Sequence, residues 1–388
     1  MPVSMREKQT VRLLSSEAGV IEVRGVAGGA GQRLDSVDVM RGISLICMVV
    51  CHCSIFTSDP EGSLFTEWAY FTTNDILGDW PAAVFLFLAG VSQAISLSKQ
   101  SSSEDILDGP GRRMIKRGLL VMLIGEVVYT LSGPNHIGKA FVIDILTLTG
   151  FSMLVLCCVR SVLLAFLGSG EFPVFPYLSM PLIGYAYGQT NMVGVDIGCL
   201  DRLTGIVSPI CLVLSVVGSS LAATGWFGDT YTSVLGAYCF YPNTLSMILL
   251  QAGITAGLMY WCRRLFDIGC VQNWFVLYCR RISSWGLTVY SSSLFLIFWP
   301  QYVAGLVLHN SANYYYMNAL SPVQGAVLGV VLCALYYPIL GWWETKGRVG
   351  SPEWVIAKLT PKGPKRTAYS QRQPCTRGCD VDVDVDVV

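Results

Sequence analysis

Val37-Asp38-Val39-Met40-Arg41-Gly42-Ile43-Ser44-Leu45-Ile46-Cys47-Met48-Val49-Val50-Cys51-His52-Cys53-Ser54-Ile55-Phe56 is an apolar run whose acidic, basic and imidazole side chains are Asp38, Arg41 and His52 alone. As a helix rising about 1.5 Å per residue it is about 30 Å long, the thickness of a bilayer's hydrocarbon core. Runs of the same kind follow at Pro81–Leu97, Gly118–Leu131 and Phe141–Val159, then at 206–225, 244–262, 285–306 and 321–343. A further apolar stretch, 161–187, is broken by Gly168, Gly170, Pro173, Pro176 and Pro181. The 388 residues are 53% hydrophobic and 13% charged, about half the charge of a soluble domain. The expectation is an all-α polytopic transmembrane helix bundle of about 9–11 spans.

Charge excludes some function classes and orients the bundle. Lys and Arg number 26 and so do Asp and Glu, which gives no net attraction for nucleic acid. Arg33 and Arg41 flank the start of the first span, whereas residues 57–80 carry Asp59, Glu61, Glu67, Asp75 and Asp79 with no Lys or Arg. The segment 98–117 holds Lys99, Arg112, Arg113, Lys116 and Arg117, and later basic groups stand at Arg263/Arg264, Arg280/Arg281 and from Lys346 onward. The positive-inside rule makes both termini cytoplasmic and 57–80 external. In the middle the parity does not close: one crossing each in 161–187 and 206–225 would put Arg263 and Arg264 outside. Either 161–187 crosses twice or one of these segments is re-entrant.

The chain divides into a flexible cytoplasmic segment (1–32), a transmembrane domain (33–360) and a polar tail (361–388). The tail ends in the Val-Asp repeat 381–386 and is expected to be disordered. Many of the 14 cysteines sit inside apolar runs, where a thiol acts as a small hydrophobe. No Cys-x-x-Cys pair occurs, and adjacent residues of Cys51-His52-Cys53 diverge by about 100° on a helix. No metal site is expected.

At that same angular step Asp38, Arg41, Leu45, Met48 and His52 form one stripe. Arg41 and His52 stand about 16 Å apart along it, a charged pair at one end and an imidazole near the other. These groups are membrane-edge anchors and a helix cap, or they face the bundle interior, where ionisable side chains usually work. Histidine is the side chain with the pKa a general base needs near neutrality, and the chain has three: His52, His136 and His309. All three fall toward the external side. Asp144 opens the fourth span at a depth similar to His52 and could orient the imidazole. Glu126 lies nearer mid-membrane, where it needs a partner or a proton.

Arg33-x-x-Ser36-x-Asp38-x-x-Arg41-Gly42 with the apolar helix behind it resembles the opening of the heparan-α-glucosaminide N-acetyltransferase family and its bacterial membrane relatives. Ala83–Ser92 is similar to that family's second helix, and Arg112-Arg113 through Arg117-Gly118 to its basic loop and third. Asp144-Ile145-Leu146 with Gly150 resembles its fourth helix, and Gly350-Ser351-Pro352-Glu353-Trp354 the closing Gly-Pro-x-Glu-Trp signature of the bacterial branch. The resemblance covers about residues 33–360 and marks them as an acyltransferase-like domain. It implies transfer of an acyl group, often acetyl from acetyl-CoA on the cytoplasmic side, to an acceptor across or within the membrane. Two departures stand out. Residues 57–80 contain no histidine, where the animal enzymes carry one, and Tyr290 is followed by Ser291, Ser292 and Ser293 where relatives often have a histidine.

The reading is an integral membrane acyltransferase moving an acyl group from acyl-CoA to a hydroxyl or amine of a sugar, lipid or small molecule. His52 and Asp144 are the candidate catalytic pair. Asp38, Arg41, Arg112, Arg113, Lys116 and Arg117 are candidates for the CoA phosphates, which basic side chains grip with charge-assisted bonds. The basic cluster is equally readable as a plain topology determinant. The partners are acyl-CoA, the acceptor and membrane lipids; a homodimer is left open, and no nucleic acid is involved. The rival readings are a small-molecule permease or exporter and a non-catalytic membrane scaffold. The C-terminal half lacks a second Asp-x-x-Arg-Gly, so no internal repeat supports the permease.

Overall fold

The computed structural model describes residues 34–58, 64–78, 80–98, 110–132, 145–158, 174–192, 197–224 and 244–360. Among these it is helical throughout, without a strand: α1 (Asp35–Thr57), α2 (Leu64–Phe71), α3 (Pro81–Ser98), α4 (Pro110–Ser132), α5 (Ile145–Cys158), α6 (Val174–Met192), α7 (Ile197–Ala223), α8 (Leu245–Cys262), α9 (Trp274–Ser284), α10 (Gly286–His309), α11 (Pro322–Thr345) and α12 (Pro352–Leu359). Short π-helical turns, Thr72–Ile76 and Arg263–Ile268, follow α2 and α8. Five helices, α1, α7, α8, α10 and α11, are long and apolar enough to cross a membrane by themselves. On α7, Leu203, Ile206, Ile210, Val213 and Val217 form an exposed stripe at helical spacing. Lipid solvates such a face at no cost; water would not.

Side-chain contacts fix the direction of every long helix. Gly286 lies on Leu45, His52 meets Tyr290 and Gln301 bonds the Phe56 carbonyl, so α10 climbs parallel to α1; the short α9 crosses the start of α1, with Arg280 at Asp35, Ser283 at Asp38 and Cys279 at Gly42. Gly325 packs on Cys53 and Thr57 while Gly329 packs on Val50, so α11 descends beside α1. Gly118 against Gly150 and Gly125 against Leu146 make α4 and α5 antiparallel. Ser208 bonds the Gly253 carbonyl and Ser215 the Ser246 carbonyl, which makes α7 and α8 antiparallel.

The decisive pair is α3 and α6. A methyl group on Gly184 would stand 2.0 Å from the Phe87 carbonyl oxygen, and one on Gly90 2.0 Å from that of Pro181. Only glycine lets the two backbones approach so closely, the small-residue packing that serves where lipid supplies no hydrophobic drive. Farther on, Gly188 meets Val91 and Ala94. The numbers rise together, so α6 runs parallel to α3. α5 ends on the side where α6 also ends, so the two are not a simple hairpin; the chain that joins them, 159–173, lies outside the described residues. The two alternatives the charge pattern left open, a double crossing in 161–187 or a re-entrant segment, turn on residues outside those described. Arg41, Arg112–Arg117, Arg263/Arg264, Arg280/Arg281 and Arg348 share one face of the bundle.

Three local features add to the sequence reading. The basic residues 112–117 lie in the first turns of α4 and not in a loop, because the helix starts at Pro110, whose fixed φ suits a first helical position. The polar chain after Lys346 contains α12, whose start carries its own cap: Ser351 Oγ accepts from Trp354 N–H, with Pro352 behind it. The acidic segment 57–80 contains α2, where Phe65, Trp68 and Phe71 are exposed as in an interfacial helix.

Candidate functional site

The first residue of α1 is preceded by Leu34, which has no side chain to cap a helix. The cap comes from far along the chain. Asp267, in the π-turn after α8, accepts from the Ser36 N–H at 3.0 Å and from the Ser36 hydroxyl. A carboxylate there meets the positive end of the helix dipole. At the adjacent residue, Arg280 of α9 grips Asp35 with two nitrogens, and Gln272 donates to the same carboxylate at 2.8 Å.

Asp38 and Arg41 converge on a single hydroxyl. Ser283 Oγ donates to Asp38 Oδ1 at 2.8 Å and lies 3.4 Å from Arg41 Nη1. Arg41 Nη2 donates to Ser92 Oγ of α3 at 2.7 Å. Asp38 is buried and Arg41 half-buried, so the guanidinium ties α1, α3 and α9 together at the rim of the basic face. The neighbouring node is Glu344, which accepts from Trp285 Nε1 at 3.1 Å and from Arg348 at 2.8 Å and pairs with Arg281 at 3.4 Å.

Farther along the stripe Leu45 and Met48 are buried. The His52 ring lies against Phe56 at 5.2 Å and against Tyr290 at 5.9 Å, edge-on. Its surroundings are the apolar cluster of Met48, Val128, Leu146, Tyr290, Leu294 and Phe298, contributed by α1, α4, α5 and α10. His52 Nδ1 is buried without a hydrogen-bond partner, and so is Ser291 Oγ on α10. The side chains of Asn74 and Gln93 are also buried without partners, elsewhere in the bundle. Cys51 faces Gly78 and Cys53 faces Gly329, so the three neighbours of Cys51-His52-Cys53 address three different elements.

Of the remaining site candidates, Asp144 and His136 lie outside the described residues, and the pairing of Asp144 with His52 is not visible. Ile145 and Leu146, which follow Asp144, pack into the His52 cluster. Arg112, Lys116 and Arg117 are exposed and Arg113 half-buried, on a helix that packs against α5, α10 and α12. His309 is remote from His52. It lies about 28 Å of helix beyond Tyr290, stacked on Tyr314 at 3.6 Å and bonded to Tyr315 Oη at 2.8 Å. Glu126 accepts from Thr147 Oγ1 at 3.3 Å across the α4–α5 contact.

Ser92, Asp267, Arg280 and Ser283 escaped the sequence reading because their partners stand on remote elements; Ser283 and Asp38 are 245 residues apart. The closing signature was legible as a pattern but not as a contact. Glu353 accepts from the Thr288 N–H at 2.9 Å and from its hydroxyl, which caps α10 just before Tyr290.

Residues 33–171 match the family described as "Heparan-alpha-glucosaminide N-acetyltransferase, catalytic". The matched segment begins at the Arg33 motif and contains α1 to α5, which hold Asp38, Arg41, His52 and the basic start of α4. Among curated proteins none matches the chain. The family resemblance read in the sequence stands over this segment.

Proposed function

Because residues 33–171 carry the catalytic pattern of this membrane acetyltransferase family, we propose that the protein is an integral membrane acyltransferase. It takes an acyl group, acetyl in the simplest case, from acyl-CoA held at the basic face, which we assign to the cytoplasm. It delivers that group to a hydroxyl or amine of a sugar, lipid or small-molecule acceptor beside His52. The observation that carries the reading is the division of labour along α1. Its first turns sit in a lattice of charged and hydroxyl groups, while an imidazole with a buried, unpartnered Nδ1 stands about 16 Å farther along the same stripe. CoA has the same division, with anionic phosphates at one end and a neutral arm carrying the thioester at the other.

Arg41 and the basic turns of α4 hold the phosphates in this reading, and Asp38 fixes Arg41 through Ser283. His52 takes the acceptor's proton as its oxygen or nitrogen attacks the thioester carbonyl, and returns it to the departing thiolate. Asp144 is the proposed orienting carboxylate.

The test is labelled acetyl-CoA turnover by the purified full-length protein and by His52→Ala, with CoA binding measured on the same samples. Transfer should fall by about 10²–10⁴ in the variant, the usual contribution of a positioned acid–base group, with CoA binding unchanged. A wild-type protein that moves a solute across vesicles and forms no acyl product is a permease, and the reading falls. A His52→Ala variant retaining more than half the wild-type rate removes His52 from the chemistry.

A further inference from the structure

Three consecutive serines follow Tyr290 on α10, and their hydroxyls are not satisfied alike. Ser292 Oγ donates to the Thr288 carbonyl at 2.6 Å and pairs with Tyr336 Oη at 2.8 Å. Ser293 Oγ donates to the Tyr290 carbonyl at 2.8 Å. Both use the remedy open to any helical serine, the carbonyl three or four residues back. Ser291 does not. Its residue is 6% exposed and its Oγ has no partner, an arrangement that costs stability unless something completes it.

The position of Ser291 says where that completion comes from. At about 100° per residue, Ser291 falls between Phe298 and Tyr302, about 20° from each, on the arc that runs from Tyr290 through Leu294 and Phe298 to Tyr302. That arc is the face of α10 buried against Met48, Val128 and Leu146. The His52 ring touches the same face at Tyr290, and its Nδ1 is also buried without a partner. One side chain from α1 and one from α10 thus leave a polar atom unmatched beside Tyr290.

We propose that Ser291 is the acceptor-binding residue and that the acceptor it selects is a neutral alcohol; this rests on the acyltransferase reading with His52 as base. An unprotonated Nδ1 needs a donor, and the serine hydroxyl needs an acceptor. A single alcohol supplies both: its O–H donates to His52 Nδ1, and its oxygen accepts from Ser291 Oγ–H. An amine enters as an ammonium ion, which loses its hydration in this lining and has no lone pair for Ser291. In the transfer the alcohol oxygen bonds to the thioester carbonyl carbon and its proton passes to Nδ1. The carbon–sulfur bond breaks, and the CoA thiolate leaves with that proton, giving an ester and free CoA.

The experiment uses full-length wild type, Ser291→Ala, Ser291→Thr and Ser292→Ala in lipid nanodiscs, with labelled acetyl-CoA and with 1-butanol and butylamine as acceptor probes. Wild type should form butyl acetate in preference to the amide. Ser291→Ala should raise KM for butanol about tenfold with CoA affinity unchanged; Ser291→Thr, which keeps the hydroxyl, should recover part of that loss, and Ser292→Ala should behave as wild type. A second arm needs no turnover. The chain has three histidines, so imidazole ¹⁵N spectra of histidine-labelled protein are simple, and His52→Ala identifies the His52 signal by its loss. Butanol should shift that signal saturably in wild type and not in Ser291→Ala. An unchanged KM in Ser291→Ala, a preference for butylamine, or no saturable shift in wild type overturns the Ser291 proposal. A normal shift without acyl transfer to either probe supports the Ser291 site and brings down the acyltransferase reading instead.

Discussion

Ser283 Oγ donates to Asp38 at 2.8 Å and lies within reach of Arg41 at 3.4 Å, so one hydroxyl on α9 joins the acid and the base of the α1 stripe. Ser283→Ala removes the donor from a buried carboxylate. Bonds to charged groups are worth about 1.5–3 kcal/mol, and the variant should lose stability on that order. It should also weaken CoA binding, because Arg41 loses one of its anchors. Ser283→Thr keeps the hydroxyl and should be close to wild type in both. Thermal unfolding and CoA titration on the three proteins check this; equal stability of Ser283→Ala and wild type would show the hydroxyl to be dispensable.

The parallel run of α3 and α6 has a direct topological consequence. Lys116 and Arg264 belong on one side of the membrane and Ser311 on the other. Single cysteines at these positions, in a background without other reactive thiols, should divide that way when sealed vesicles are treated with an impermeant maleimide. Orientation with the basic face in the cytoplasm further predicts that Ser311→Cys is the one labelled from outside. Labelling of Arg264→Cys on the side of Ser311→Cys would contradict the helix directions.

What the sequence made legible was local and periodic. The stripe from Asp38 to His52 is a matter of angular spacing on one helix, and α1 presents it as spacing requires. The charge pattern showed that the parity of the spans does not close but not the direction of α6, which is set by the close backbone contacts of Gly90 and Gly184 between helices about ninety residues apart in sequence. The partners of Asp35, Ser36 and Asp38 were invisible for the same reason: Arg280, Asp267 and Ser283 reach them only through tertiary packing. The serine run after Tyr290 was noticed as a departure from a family pattern. Only packing reveals that one of the three hydroxyls is stranded.

The basic turns of α4 make a separate prediction. Arg112, Lys116 and Arg117 are exposed, so replacing two of them with Gln leaves the core untouched. If they hold CoA phosphates, affinity should fall by about ten- to a hundredfold, from the loss of at least one charge-assisted contact. The fall should shrink at high salt, which screens such contacts already in wild type. Unchanged CoA affinity in correctly oriented protein would reduce these residues to topology determinants.

Glu353 ties the closing signature to the centre of the bundle. Its carboxylate accepts from the Thr288 N–H and hydroxyl in the first turn of α10, two residues before Tyr290 and three before Ser291. Three nearby features hold it there. Gly350 adopts φ +84°, Ser351 caps α12, and Ile356 is buried against Val121 and Met153. Removing a helix cap costs about 0.5–2 kcal/mol, and the negative charge at a helix N-terminus adds about 0.3–1 kcal/mol. Glu353→Ala should therefore destabilise by about 1–3 kcal/mol, and Glu353→Gln, which keeps one acceptor oxygen, by less. Because the lost bonds sit at the start of α10, hydrogen exchange should rise first over residues 286–292 while α7 and α8 keep their protection. Acyl transfer should fall through a loosened Tyr290–Ser291 turn and CoA affinity should stay unchanged, since Glu353 touches none of the proposed phosphate ligands. Uniform exchange across the bundle in Glu353→Ala, or exchange over 286–292 equal to wild type, would refute the assignment of Glu353 as the pin of α10.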